Sequence, residues 1–177
     1  MKFLHIAVIS LFVFAACNKM ESSEPVTPAK VITSTADKLN TAMINQDFET
    51  FAKYTHPKVI EVLGGAQKFK EMMTNGAKGM NDAGVRFISI TNGEPGKIIT
   101  KDNELQTILP QTIEMKTPTG RVKTKTALIA ISSDNGKTWH FVDTFNSDLK
   151  RLQVMMPNLS NELVIPAPQP PEVVLEK

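Results

Sequence analysis

Residues Leu105–Val142 read LQTILPQTIEMKTPTGRVKTKTALIAISSDNGKTWHFV. Two long runs rich in β-branched and aliphatic residues stand here, each closed by a turn signal. The first, Leu105 to Thr117, carries Leu105, Leu109, Ile113 and Met115 on one face. Pro110 inside it demands a bulge or an edge. Thr117-Pro118-Thr119-Gly120 turns the chain, and Arg121 to Ile131 returns. Pairing Glu114 with Lys123 and Met115 with Val122 sets opposite charges together and apolar residues together. Asp134-Asn135-Gly136 then suits a three-residue loop with Gly136 in the left-handed conformation. That loop pairs Ile131 with Trp139, Ile129 with Phe141 and Ala127 with Asp143. On the opposite face it pairs Ala130 with His140 and Leu128 with Val142. Both faces are apolar, so both are expected to be covered.

Upstream, Val85 to Ile90 alternates between Gly84 and Asn92-Gly93 and reads as a further strand. The first half of the chain reads as helices. Ala36, Leu39, Ala42 and Met43 recur at helical spacing, with Ser34 or Thr35 as caps. Asp47 caps a second helix carrying Phe48, Phe51, Ala52 and Tyr54, which Pro57 ends. A third runs from Ala66 to Met80, with Phe69, Met72 and Met73 inside and Gly76 and Gly79 loosening its end. Its methionine and aromatic stripe is read as core packing. Downstream, Leu149, Leu152 and Met156 stripe a short helix over Ser147 to Met156. The fold class is therefore α+β: N-terminal helices packed on a curved antiparallel sheet, with a short C-terminal helix.

The ends carry different signals. Lys2 precedes an apolar stretch, Phe3 to Ala16, broken only by His5 and Ser10. A bilayer-crossing helix needs about 20 apolar residues, so this stretch fits a secretory signal instead. Small Ala15 and Ala16 lead to Cys17, the single cysteine of the chain. The run Phe14-Ala15-Ala16-Cys17 resembles the lipobox of bacterial lipoproteins. That resemblance implies removal of residues 1–16, acylation of Cys17 and anchoring by two or three acyl chains, where one alone binds marginally. Residues 17–30 then form a polar, lipidated tether, 31–157 the domain, and 158–177 a tail. Pro166, Pro168, Pro170 and Pro171 make that tail extended and solvated. The implied location is the bacterial cell envelope, at the outer membrane, on its periplasmic or surface side.

Of the 20 basic residues only Lys2 precedes the cut, leaving 19 against 18 acidic ones. This balance speaks against nucleic acid, whose partners carry a clearly basic domain. A single cysteine allows no internal disulfide and no cysteine-based metal site. Between the tails about 120 residues remain, enough for one domain with a core.

Ser132-x-Asp134-x-Gly136-x-Thr138-Trp139 matches the Asp-box pattern of sialidase-type propellers. One copy cannot build a propeller of several blades, so the motif is read as a hairpin device. Its serine and aspartate bond the turn, and Trp139 packs beneath. Arg121, Lys123 and Lys125 line one strand face with positive charge that attracts anions or lipid headgroups. A solvated strand guarded by lysines explains them more simply, with Glu114 neutralising part of the row. His56, at a helix end, suits a cation or donor there. Its spacing from His140 matches no zinc motif, so no metal and no cofactor is expected. Asp143 or His140 has the chemistry of a general base, and Tyr54, the only tyrosine, that of an oxyanion donor. Each is more often a packing or hydrogen-bonded residue.

Three helices followed by a long antiparallel meander resemble the nuclear transport factor 2-like (cystatin-like) superfamily over about Val31 to Asn146. Three local runs carry the likeness. They are Ala42-Met43-Ile44-Asn45-Gln46-Asp47-Phe48-Glu49, His56-Pro57, and Asn135-Gly136-Lys137-Thr138-Trp139-His140-Phe141-Val142. The resemblance implies a cone-shaped domain with a pocket between sheet and helices. Members include isomerases, cyclases, dehydratases and non-catalytic binding proteins, so the fold alone selects none. The expectation is a lipid-anchored, non-catalytic domain that binds a small apolar ligand or an envelope protein. One alternative is a small isomerase or cyclase using Tyr54, His140 and Asp143. The other is a structural envelope subunit docking through Pro157 to Pro171.

Overall fold

The structure, a computed structural model, describes residues 27–175. Along the chain come α1 (Pro28–Ile44), α2 (Phe48–Tyr54), α3 (Pro57–Val62), α4 (Ala66–Asp82), β1 (Arg86–Asn92), β2 (Ile99–Lys101), β3 (Glu104–Thr117), β4 (Gly120–Ser132), β5 (His140–Asp143), α5 (Leu149–Met155) and β6 (Glu172–Leu175). The class is α+β.

The β3–β4 hairpin is the frame. It pairs without interruption from Leu105↔Ser132 to Thr117↔Gly120, with Glu114 opposite Lys123 and Met115 opposite Val122 as expected. β1 and β2 share the outer edge of β3, and β5 and β6 share that of β4, all antiparallel. Pro110 falls between the segments of β3 that β1 and β2 occupy. Its carbonyl accepts from Gly93 N–H at 2.8 Å on that edge, where the missing proline N–H costs no ladder bond.

The β4–β5 register differs by one residue from the expected one. Ile131 pairs with His140, Ala130 with Phe141, Ile129 with Val142 and Leu128 with Asp143. The turn is longer than three residues because its side chains hold it. Ser132 and Asp134 bind turn N–H groups, and Trp139 Nε1 donates to Gly136 O at 3.1 Å. Trp139 thus belongs to the loop, and a one-residue slip exchanges the faces.

Both faces of the sheet are covered over this half. On one, Ile32, Ala36 and Leu39 of α1 meet Leu109, Leu128, Ala130, Trp139 and Phe141. On the other, Ile99, Ile129, Ile131 and Val142 meet Leu152, Met156, Leu159 and Leu163. An amide network ties α1 to β1 and β3. Gln111 donates to Asn40 and Asn92 at 2.9 Å each, and Asn92 donates to Asp37 at 2.7 Å.

Three readings of the elements need correction. α1 starts at Pro28, inside the expected tether: Thr27 Oγ1 accepts from Lys30 N–H and Pro28 fills the first turn, where proline is pre-organised. Ser34 and Thr35 cap nothing and donate back to Val31 O. Pro57 opens α3 rather than merely ending α2, again as an N-terminal proline. The segment after Pro157 is not a solvated tail throughout. Leu159 and Leu163 are buried, and Ser160 N–H donates to Gln106 Oε1 at 2.9 Å. The sheet's second apolar face extends past what α5 covers, and these residues complete it. Pro166 to Pro171 stay exposed.

Candidate functional site

α4 is held mainly at one end. Phe69, its sole buried residue, stacks on Phe51 with centroids 6.1 Å apart and planes 3° from parallel. Gly64 and Gly65, at φ 91° and 92°, admit the chain to the helix in a conformation that glycine tolerates. Further along, Met72, Met73, Gly76, Ala77 and Met80 fall on one helical stripe. That stripe faces Met43 and Ile44 of α1, Phe48 of α2, and Val85 and Phe87 at the start of β1. Between them lies an open groove of about 490 Å³. Gly76 and Gly79 have open space where a side chain would stand. The expected core stripe is therefore a groove wall. α1 already fills the sheet's helix-side face, so α4 finds no closed surface to bury against. Thioethers suit such a wall, because they are flexible, polarizable and adapt to apolar ligands.

The expected site residues do not converge. Tyr54 ends α2, packs against the helix-side core and lines a shallow cleft with Asp37, Thr41 and Asp47. His140 opens β5 and meets His56 edge-on, with centroids 6.4 Å apart, beside Glu104 and Asp134. Asp143 closes β5, and three residues of strand put it on the opposite face from His140. Neighbouring protein withdraws water from its carboxylate and raises its pKa, against donated bonds from Phe145 and Thr144 N–H. The residue still reaches the surface, so the desolvation is partial. Cys17 lies outside the described residues.

His56 is an acceptor rather than the cation or donor expected at a helix end. Its Nδ1 takes the Lys58 N–H at 3.2 Å and caps α3. Burial lowers its pKa, Glu104 raises it and His140 lowers it further. With Nδ1 occupied as acceptor, the neutral ring carries its proton on Nε2, leaving no lone pair for a metal. Among the described residues, no three His, Cys, Asp or Glu side chains form a metal-ligand set.

The Asp-box residues act within their own turn. Ser132 Oγ accepts from Gly136 N–H at 2.9 Å, and Asp134 accepts from Thr138 N–H and hydroxyl at 2.9 and 2.7 Å. These bonds hold the Asp134 carboxyl at about 2. Along β4, Arg121 pairs with Glu114 at 3.4 Å. Arg86, Lys116 and Arg121 stand opposite one another across β1, β3 and β4.

No protein-family model matches the chain, and no curated protein matches it. The groove residues were legible only as a stripe. Their signal was two glycines set among methionines on a helix otherwise rich in charge.

Proposed function

We propose that the folded domain is a non-catalytic binding module that holds a small apolar ligand in the groove between α4 and β1. The groove carries this reading: about 490 Å³ walled by Met43, Met72, Met73, Met80, Phe48 and Phe87. Ligand sites are concave and mostly apolar, with a few polar groups at the edge. Here those groups are Gln46 and Asn81. The scatter of Tyr54, His140 and Asp143 favours binding over an isomerase or cyclase. The N-terminal helix α1, packed on one face of a bulged antiparallel sheet, supports a nuclear transport factor 2-like cone.

The same reading makes the protein a bacterial envelope lipoprotein, acylated on Cys17 and held at the outer membrane on its periplasmic or surface side. Phe14-Ala15-Ala16-Cys17 supports it. No helix among the described residues is long and apolar enough to cross a membrane. An envelope protein is the partner this reading leaves for surfaces outside the groove.

Mass spectrometry of protein extracted gently from its native membrane tests both parts. We expect an N-terminal peptide starting at acylated Cys17, and a retained apolar molecule that Ala77→Trp expels by filling the groove. An unmodified Cys17 overturns the anchor. A wild-type protein without a ligand, or an A77W protein that keeps it, overturns the groove.

A further inference from the structure

We infer that a gap in the sheet's outer edge, between β5 and β6, binds a short extended peptide as an added piece of strand. The site is separate from the groove and opens on the other face of the sheet. The outer edge of β4 is filled in two places. Thr144 N–H donates to Ala127 O at 3.2 Å where β5 runs out, and Lys123 pairs with Glu172 where β6 begins. Lys125 stands between them. In an antiparallel ladder, successive residues turn their N–H and C=O to alternate sides. Ala127 turns its carbonyl outward to Thr144, so Lys125, two residues away, turns both of its groups the same way. Among the described residues nothing pairs with Lys125 on that edge.

The gap opens into a cleft of about 360 Å³. Pro110, Thr112, Lys125 and Ala127 line it and share the face of Ile129, which packs on the α5 side. Phe145, 53 % exposed, and the run Pro166–Pro171 form its walls. That run passes alongside the gap and cannot close it. Four of its six residues are prolines, which have no N–H to give a neighbouring strand. The site thus offers one main-chain donor, one main-chain acceptor and an apolar recess. An open sheet edge takes a peptide with those groups: main-chain bonds hold it and a pocket receives alternate side chains. Ala127 and Lys123 lie about 13 Å apart along the strand. Thr144 and Glu172 occupy those ends, so two or three residues fit between them. Running antiparallel to β4, as β5 and β6 do, the middle residue exchanges both bonds with Lys125. Its side chain then enters the cleft, and its C-terminal end points toward Lys123. Lys125 takes part in none of the salt bridges among the described residues, and its ammonium favours a free carboxylate at that end.

The test titrates the isotope-labelled full chain with three peptides and follows its backbone amides by NMR. The peptides are Ala-Leu-Ala, the same tripeptide N-methylated at leucine, and a form extended by two alanines at each end. Ala-Leu-Ala should shift the Lys125 amide saturably and slow its hydrogen exchange. The N-methylated form cannot donate to Lys125 O and should bind about tenfold weaker. The extended form should also bind more weakly, because its ends meet Thr144 and Glu172 and its carboxylate is carried away from Lys125. Thr112→Trp fills the cleft and should abolish the shift. The peptide comparisons are made on wild type, so they stand whatever that variant does to folding. No saturable shift at Lys125, or equal affinity for Ala-Leu-Ala and either altered peptide, overturns the inference. So does a folded T112W protein that binds Ala-Leu-Ala as wild type does. Each of these outcomes leaves the groove reading intact, since the groove lies on the opposite face.

Discussion

His56 joins three elements through one residue. Its ring caps α3, its N–H donates to Phe141 O at 2.9 Å, and its edge meets His140. The cap needs an unprotonated Nδ1, and burial likewise favours the neutral ring, so the folded pKa lies below the ordinary 6.5. The unfolded chain therefore takes up the proton first as pH falls. His56's contribution is complete above 6.5 and is lost as pH drops through the folded value. We predict that the urea midpoint falls between about pH 7 and about pH 5.5, and that His56→Asn flattens this slope, since asparagine caps without titrating. An unchanged slope in H56N contradicts the account. Asp143 has the opposite sign: raised above 3.8, it is relieved by protonation in acid. Asp134, held at about 2, gives up its contribution only as pH falls below 3.8. At this scale the sequence was half legible. His56-Pro57 marked a helix end correctly, but whose end and with which hydrogen-bond sense depended on α3, a helix too short to show periodicity.

Among the elements, the β3–β4 hairpin could be read in advance because its information is local. Charge pairs, alternation and the Thr117–Gly120 turn all fix one register. The β4–β5 register could not, because Ser132 and Asp134 lengthen the turn through side-chain bonds that the residue pattern alone does not count. The C-terminal segment was misread for a different reason. Leu159 and Leu163 continue the helical spacing of Leu152 and Met156, but Pro157 breaks the helix between the two pairs and the prolines beyond them signal solvent. Their burial comes from a surface made by distant strands. Leu159 is 1 % exposed and Val164 is 77 % exposed. Leu159→Ala should therefore cost about 2–5 kcal/mol in urea unfolding, and Val164→Ala about 0.5 kcal/mol or less. Similar small losses for both variants would mean that the segment does not hold the sheet.

For the molecule as a whole, the class was legible from the switch of hydrophobic period, helical before Val85 and alternating after it. The groove was not. It exists because α1 occupies the sheet while α4 is pinned at Phe69 and stands off beyond it, a relation between elements far apart in sequence. The same methionine stripe would have been core had α4 reached the sheet. The claim that the stripe receives an apolar ligand is tested most directly by NMR of isotope-labelled methionine methyls, titrated with dodecanol. Met43, Met72, Met73 and Met80 should shift with one saturating affinity. Met155 and Met156, on the far side of the sheet, should stay in place. Shifts at Met155 and Met156 matching those of the groove, or no saturable shift at any groove methionine, would contradict it.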